Sequence, residues 1–248
     1  MYAPLLIAFG FLAGSIPFSF LIARARGVDL REHGSGNPGA TNLGRVLGRR
    51  YFVAGFALDM AKGLTPTLLA GWALGTLGTM DVAPRDAWVW LGVMGACVLG
   101  HMFTPFLGFK GGKGVATGLG AVLGIAPAMT LPLAGAALVF AVTLMLWRMV
   151  GVASPVAAAS LPIWVYTAFS HQETLRERLI ASTPRYGEAP AGFIDEMVPN
   201  RALPFFVVSL ALALLVIFKH RGNLARAIRG QEPRIGARKP GTAAVRES

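Results

Sequence analysis

The feature that most constrains this chain is its long runs without a charged residue. Residues 2 to 23 contain none, and the block from Gly114 to Trp147 extends for 34 residues without one. A bilayer core of roughly 30 Å takes about 20 apolar residues per helical crossing. Composition agrees: 54% of residues are hydrophobic and 14% are charged, with much of the charge gathered into a few short stretches. The expectation is an all-α polytopic membrane protein, a single integral membrane domain over 1–248 with no separate soluble domain and no internal repeat. The first run has no basic leader and passes into an Arg-rich loop, so it is expected to remain as a helix.

Apolar segments are expected at 2–23, 51–78, 87–109, 150–170 and 203–218, with the 114–147 block between them. As one helix rising about 1.5 Å per residue that block overshoots a bilayer, and Pro127 with Pro132 offers a break, giving spans at 114–128 and 130–147. Charge tests the choice. With seven spans and the N-terminus outside, 17 Lys and Arg fall inside and 5 outside; with six spans the figures are 12 and 10. The positive-inside rule selects seven, with a cytoplasmic C-terminus. Residues 171–202 then form a long outside loop and 239–248 a disordered tail. The net charge of +11 does not point to nucleic acid, because the basic residues flank hydrophobic spans. The single cysteine, Cys97, lies in an apolar run and reads as packing filler.

The chemistry is expected in the inside loops. The first contains Gly34-Ser35-Gly36-Asn37-Pro38-Gly39-Ala40-Thr41-Asn42-Leu43-Gly44-Arg45. Asn37 suits an N-cap and Pro38 the first helical position, which would leave the N–H groups of Gly39 and Ala40 free for phosphate. Thr41 and Arg45, four apart, would share a face and add a hydroxyl and a cationic fork. The bland reading is a capped interfacial helix with arginines that set topology. The second loop, Gly108-Phe109-Lys110-Gly111-Gly112-Lys113-Gly114, is no Walker A motif: Gly108 stands one residue too close to the Gly-Lys pair and glycine follows the lysine. It reads as a turn whose N–H groups and lysines can wrap an anion. Past the last span, Lys219-His220-Arg221-Gly222-Asn223 would put His220 and Asn223 on one face if helical. Asp59 and Lys62, three apart within the second span, suit either a functional role or a mutual ion pair.

Taken together, G-S-G-N-P-G-A-T-N-L-G-R at 34–45, G-H-M-F at 100–103, F-K-G-G-K-G-V-A-T at 109–117 and H-R-G-N-L at 220–224 resemble the PlsY family of bacterial acyl-phosphate:glycerol-3-phosphate acyltransferases. The similarity extends to Leu58-Asp59-Met60-Ala61-Lys62-Gly63 and to Gly230-Gln231-Glu232. Departures are Ser19 in place of a glycine, Thr104-Pro105 in place of Pro-Val, and Arg234 in place of a lysine. The resemblance implies a seven-span enzyme of the cytoplasmic (inner) membrane with its motifs on the cytoplasmic side. It would move a fatty acyl group from acyl phosphate to the 1-hydroxyl of sn-glycerol 3-phosphate, giving lysophosphatidic acid and inorganic phosphate without a cofactor. Membrane lipid and functional contact with the enzyme supplying acyl phosphate are the partners it implies.

On that reading Ser35, Gly36, Asn37, Gly39, Ala40, Thr41, Asn42, Arg45, Lys110, Gly111, Gly112 and Thr117 are expected to hold substrate phosphates. Lys113 is expected to neutralise charge at the reacting groups. The base is left open among His220 oriented by Asn223, His101, and a substrate phosphate. Asp59, Lys62 and Glu232 would support these residues from behind. No metal is expected from four scattered histidines without an acidic cluster. The alternative is a transporter of a phosphorylated metabolite, although a transporter would place its site near the bilayer midplane on broken helices.

Overall fold

The structure is a computed structural model that describes residues 2–80, 82–181 and 202–236. The described residues form nine α-helices and one 3-10 turn, without strands: α1 (Ala3–Ser15), α2 (Phe18–Arg24), α3 (Ala40–Leu47), α4 (Arg49–Ala73), α5 (Pro84–Met102), the turn Pro105–Leu107, α6 (Val115–Leu123), α7 (Thr130–Trp147), α8 (Val150–Ala181) and α9 (Ala202–Ile228). The tail expected at 239–248 lies outside the described residues.

Among the described residues, five stretches are long and apolar enough to cross a membrane: Ala3–Arg24, Pro84–Leu107, Thr130–Trp147, Val150–Ser170 and Ala202–Ile228. The helix expected at 51–78 forms as α4, whose 25 residues rise about 38 Å but carry Arg49, Arg50, Asp59 and Lys62. The span expected at 114–128 is a helix over only nine residues, about 14 Å long and under half a bilayer core. Residues 171–181, expected to be loop, continue α8. Likewise α9 runs ten residues past the expected end at 218, which puts Lys219, His220, Asn223 and Arg226 on a helix.

Pro17 holds Ile16 out of the helical region, at ψ 117°, so α1 and α2 are separate and the carbonyls of Ser15 and Ile16 lose their helical donors. Two side chains from elsewhere replace them: Thr104 Oγ1 donates to Ser15 O at 2.7 Å and Lys62 Nζ to Ile16 O at 2.6 Å. Inside a bilayer, broken helices persist only where such partners exist. Thr104, one of the departures from the family pattern, therefore caps the break.

Small residues set how closely the helices pack, as expected where lipid offers no hydrophobic drive. On α1, Gly14 lies against the backbone of Cys97 on α5, and Gly100 of α5 lies against Phe11 O. On α4, Gly63 abuts Thr117 O of α6, while Gly120 of α6 abuts Met60 O. Any side chain there would strike a carbonyl. Cys97 is fully buried at the first of these crossings, the packing role expected of it. The larger core gathers round Trp90, Met94, Ile125 and Phe205, with Trp90 Nε1 donating to Thr67 O at 2.8 Å. α7 packs on α8, and α8 on α9.

Candidate active site

The first loop is built from within. Asp29 accepts the Arg31 guanidinium at 2.6 and 3.0 Å and its backbone N–H at 2.9 Å, which holds the carboxyl down to about 2. Asn42 is buried, with Nδ2 donating to Leu30 O (3.1 Å) and His33 O (2.9 Å) and Oδ1 accepting from Ser35 N–H (2.8 Å). Its amide is thus spent on shaping the loop, and the expectation that it binds phosphate is corrected. The helix also begins later than expected. Gly39, not Asn37, is the N-cap, and Asn37 Oδ1 takes Gly39 N–H at 3.0 Å. The N–H groups of Ala40 and Thr41 are left without an acceptor among the described residues, whereas that of Gly39 is not free. Ser35, Gly36, Thr41 and Arg45 are exposed, so Thr41 and Arg45 do share the outer side of α3.

His33, to which the sequence reading gave no role, lines a cleft of about 450 Å³ with Gly34, Arg45 and Val46. Its Nδ1 lies 2.9 Å from Asp29 O; a carbonyl only accepts, so Nδ1 carries the proton and Nε2 has the lone pair. A histidine directly before the Gly-Ser-Gly run was the available signal.

The second loop folds under α5. Gly111 N–H donates to Met102 O and Gly112 N–H to His101 O, both at 3.2 Å. These two N–H groups close the turn and cannot also wrap an anion, contrary to expectation. A side chain on Gly112 would overlap the His101 imidazole. The lysines separate: Lys110 is exposed, while Lys113 turns inward and its Nζ donates to Asn223 Oδ1. Thr117 is 0% exposed, with its hydroxyl unpartnered and its carbonyl against Gly63. It sits in the α4–α6 interface, closed to solvent, so the expectation that it binds phosphate is corrected too.

The third element completes the arrangement. Residues 231–236 fold back beneath α9, with Ile235 N–H donating to Arg148 O at 2.7 Å. Glu232 is thereby brought to Asn223 Nδ2 (2.6 Å) and to Arg226 Nε and Nη2 (2.9 Å each). Asn223 links Lys113 to Glu232 and makes no bond to His220, as had been expected of it. His220 is oriented by the carbonyl of Val216, 2.8 Å from Nδ1, which again fixes the proton on Nδ1 and the lone pair on Nε2. Lys219 Nζ donates to Met102 O at 3.0 Å and lies over the Phe103 ring, fastening α9 to the end of α5.

Burial pushes the Lys113 ammonium down to about 8; Glu232 opposes the shift, and the charges of Arg226, Arg45 and Lys219 add to it. Four cations and one carboxylate share this field, which is an anion-seeking arrangement.

The remaining sequence candidates lie behind it. Asp59 Oδ1 is 2.9 Å from Lys62 Nζ, and Oδ2 accepts from Ser19 Oγ at 2.6 Å, so Ser19, another departure from the family pattern, has a partner. The two charges form the mutual ion pair and also hold the α1–α2 break. His101 Nδ1 lies 3.9 Å from Asp59 Oδ1, and the ring is walled in by Gly112.

Comparisons with known proteins identify the family. The family model described as glycerol-3-phosphate acyltransferase covers residues 4–230. Glycerol-3-phosphate acyltransferases of Prochlorococcus marinus (strain NATL1A) and Aquifex aeolicus (strain VF5) are 38% and 35% identical, over 94% and 95% of this chain and 98% and 100% of theirs. The crystal structure of PlsY, an integral membrane glycerol 3-phosphate acyltransferase, in its glycerol 3-phosphate form superposes with a TM-score of 0.73 at 34% identity, covering 95% of this chain and 96% of that one. Its lysophosphatidic acid form gives 0.71 at 33% identity over the same shares. With the family model spanning most of its length and relatives matched nearly end to end, the chain belongs to the glycerol-3-phosphate acyltransferase family.

Proposed function

We propose that this membrane acyltransferase takes its acyl group from acyl phosphate and delivers it to the 1-hydroxyl of sn-glycerol 3-phosphate, releasing lysophosphatidic acid and inorganic phosphate. One observation carries the reading: Arg45, Lys219 and Arg226 bear on a half-buried Lys113 with Glu232 as the opposing charge. Two phosphate-bearing substrates supply the missing negative charge. The family match removes the transporter alternative.

Acyl phosphate is a mixed anhydride with a good leaving group, so the chain need only bind, orient and move one proton. Arg45, the Thr41 hydroxyl and the N–H groups of Ala40 and Thr41 hold the phosphate of glycerol 3-phosphate, with His33 and Ser35 on the same exposed loop. Lys113 faces the acyl phosphate and stabilises the oxyanion that develops on its carbonyl. The 1-oxygen forms the new C–O bond, the acyl C–O bond to phosphate breaks, and the phosphate leaves with the electron pair. The hydroxyl proton passes to His220 Nε2, the nitrogen left with a lone pair by the Val216 contact. Both ring nitrogens of His101 face protein, Nε2 against Gly112 and Nδ1 toward Asp59, so it supports the second loop instead. Holding both reactants together supplies much of the rate.

The same reading places these loops at the cytoplasmic face of the inner membrane in a seven-pass arrangement with the N-terminus outside, supported by the 17 to 5 division of basic residues. α6 and residues 124–129 together make the fourth pass. A donor that hydrolyses readily also favours handover from the enzyme that makes it, at the same face.

The test is release of inorganic phosphate by purified protein in detergent given acyl phosphate and glycerol 3-phosphate. Turnover with acyl-CoA alone, or no phosphate release from folded protein, would overturn the proposal.

A further inference from the structure

Four arginines that the acyl transfer does not use stand together at one end of the bundle. Arg24 ends α2, Arg26 follows it, and Arg49 and Arg50 open α4. All four are exposed. Arg24 lies 3.8 Å from Asp29, a carboxylate already committed to Arg31. Arg26, Arg49 and Arg50 have no carboxylate partner among the described residues.

Tyr51 organises two of them. Its ring packs on a small apolar cluster that includes Phe20, Leu30 and Leu43, which fixes its position. The guanidinium carbons of Arg26 and Arg50 lie 5.4 and 4.9 Å from the ring centroid, and an Arg50 Nη donates to the Tyr51 hydroxyl at 3.3 Å. Stacking on a fixed ring orients both guanidinium groups before any ligand arrives. The N-terminal end of α4 adds the positive end of its dipole.

The level of this platform selects the ligand. Arg24 closes a stretch long and apolar enough to cross the bilayer, and α4 starts the return, so the arginines sit where hydrocarbon gives way to headgroups. Leu21 on α2 and Val53 on α4, 49% and 55% exposed, present apolar side chains beside them. A soluble phosphate has no use for those side chains, whereas a lipid places its phosphate on the guanidinium groups and its acyl chain along them.

We propose that Arg26 and Arg50, set on Tyr51, form together with Arg49 a binding site for the headgroup of an anionic phospholipid, apart from the substrate-binding loops. The inference rests on α2 and α4 crossing the membrane and is independent of the acyl-transfer chemistry.

The experiment reads retained lipid rather than turnover, so its failure is distinct from failure of the enzymatic reading. The full chain is reconstituted in nanodiscs of equal parts phosphatidylglycerol and phosphatidylcholine and extracted mildly, and the lipids that stay bound are counted by mass spectrometry. Phosphatidylglycerol should be retained over phosphatidylcholine by roughly tenfold, since each basic residue at the surface contributes several-fold, and added inorganic phosphate should not displace it. Arg26→Gln/Arg50→Gln should bring the preference close to unity, as should Tyr51→Leu, which keeps the apolar packing but removes the ring. Arg229→Gln/Arg234→Gln, which removes the same charge elsewhere, should leave it intact. Equal retention of both lipids by the native chain would overturn the proposal. So would an undiminished preference in the Arg26/Arg50 variant, an equal loss in the Arg229/Arg234 variant, or displacement by inorganic phosphate.

Discussion

Lys113 owes its behaviour to burial, and then to nearby charges that no local pattern names. Its ammonium, held at about 8 in the free protein, loses its charge as pH rises through that value, well below the ordinary lysine range. A phosphate ligand needs that charge, so kcat/KM, which reports the free enzyme, should fall on the alkaline side with a break near pH 8. In Lys113→Arg the break should move upward, because guanidinium stays charged. Lys113→Ala should lose the break and on the order of a hundredfold in kcat/KM; a pH–rate series on the three proteins checks this. Asp59 poses a different residue-scale problem. Removing its charge leaves Lys62 buried and unpaired, so Asp59→Asn should cost about 3–5 kcal/mol, and Asp59→Asn/Lys62→Met should recover most of it, read as thermal stability in detergent. Thr104→Val, which leaves Ser15 O without its donor, should cost about 1–3 kcal/mol by the same measurement. The sequence made Asp59 and Lys62 visible as intramembrane charges. It could not show that Lys62 serves the broken helix at Ile16, 46 residues away, because a helix break announces its orphan carbonyls but not which distant donor answers them.

At the scale of elements, glycines decide which helices touch. Gly14→Leu and Gly63→Leu would drive side chains into the carbonyls of Cys97 and Thr117 and should abolish folded yield, judged by monodisperse elution in detergent. Gly95→Ala is the matched control. Nothing lies within 4 Å of its added carbon, and alanine favours a helix over glycine by about 1 kcal/mol, so its thermal stability should hold or rise. Helix identity was legible from the uncharged runs. Helix ends were not: α3 starts at Ala40 rather than at Pro38, since Gly39 is extended (φ −98°, ψ 171°) and the bond from its N–H to Asn37 closes a turn ahead of the helix. The glycines of the second loop show the same limit. Read as anion donors, Gly111 and Gly112 spend their N–H groups on the carbonyls that end α5.

For the whole molecule, topology gives the sharpest test. Single cysteines introduced as Glu32→Cys and Arg229→Cys should react with an impermeant maleimide only from the cytoplasmic side, and Arg85→Cys only from outside. Buried Cys97 should stay silent. Labelling of Glu32→Cys and Arg85→Cys from one side would refute the seven-pass arrangement. The membrane class, the helical content and the family were all carried by the sequence itself. Hydropathy is a sum over consecutive residues, and family motifs are short ordered strings, so both survive without coordinates. The loops proposed here to hold phosphate were picked out for the same reason, with Arg45, Lys113 and His220 among their residues. Only the tertiary structure divided those residues by what they touch. It sent Asn42 into the loop interior, Thr117 into the α4–α6 interface and His101 beneath Gly112, and it brought Arg226 and Glu232 to the Lys113–Asn223 pair. Side-chain direction depends on helix phase and on where the chain folds back, and long-range packing sets both.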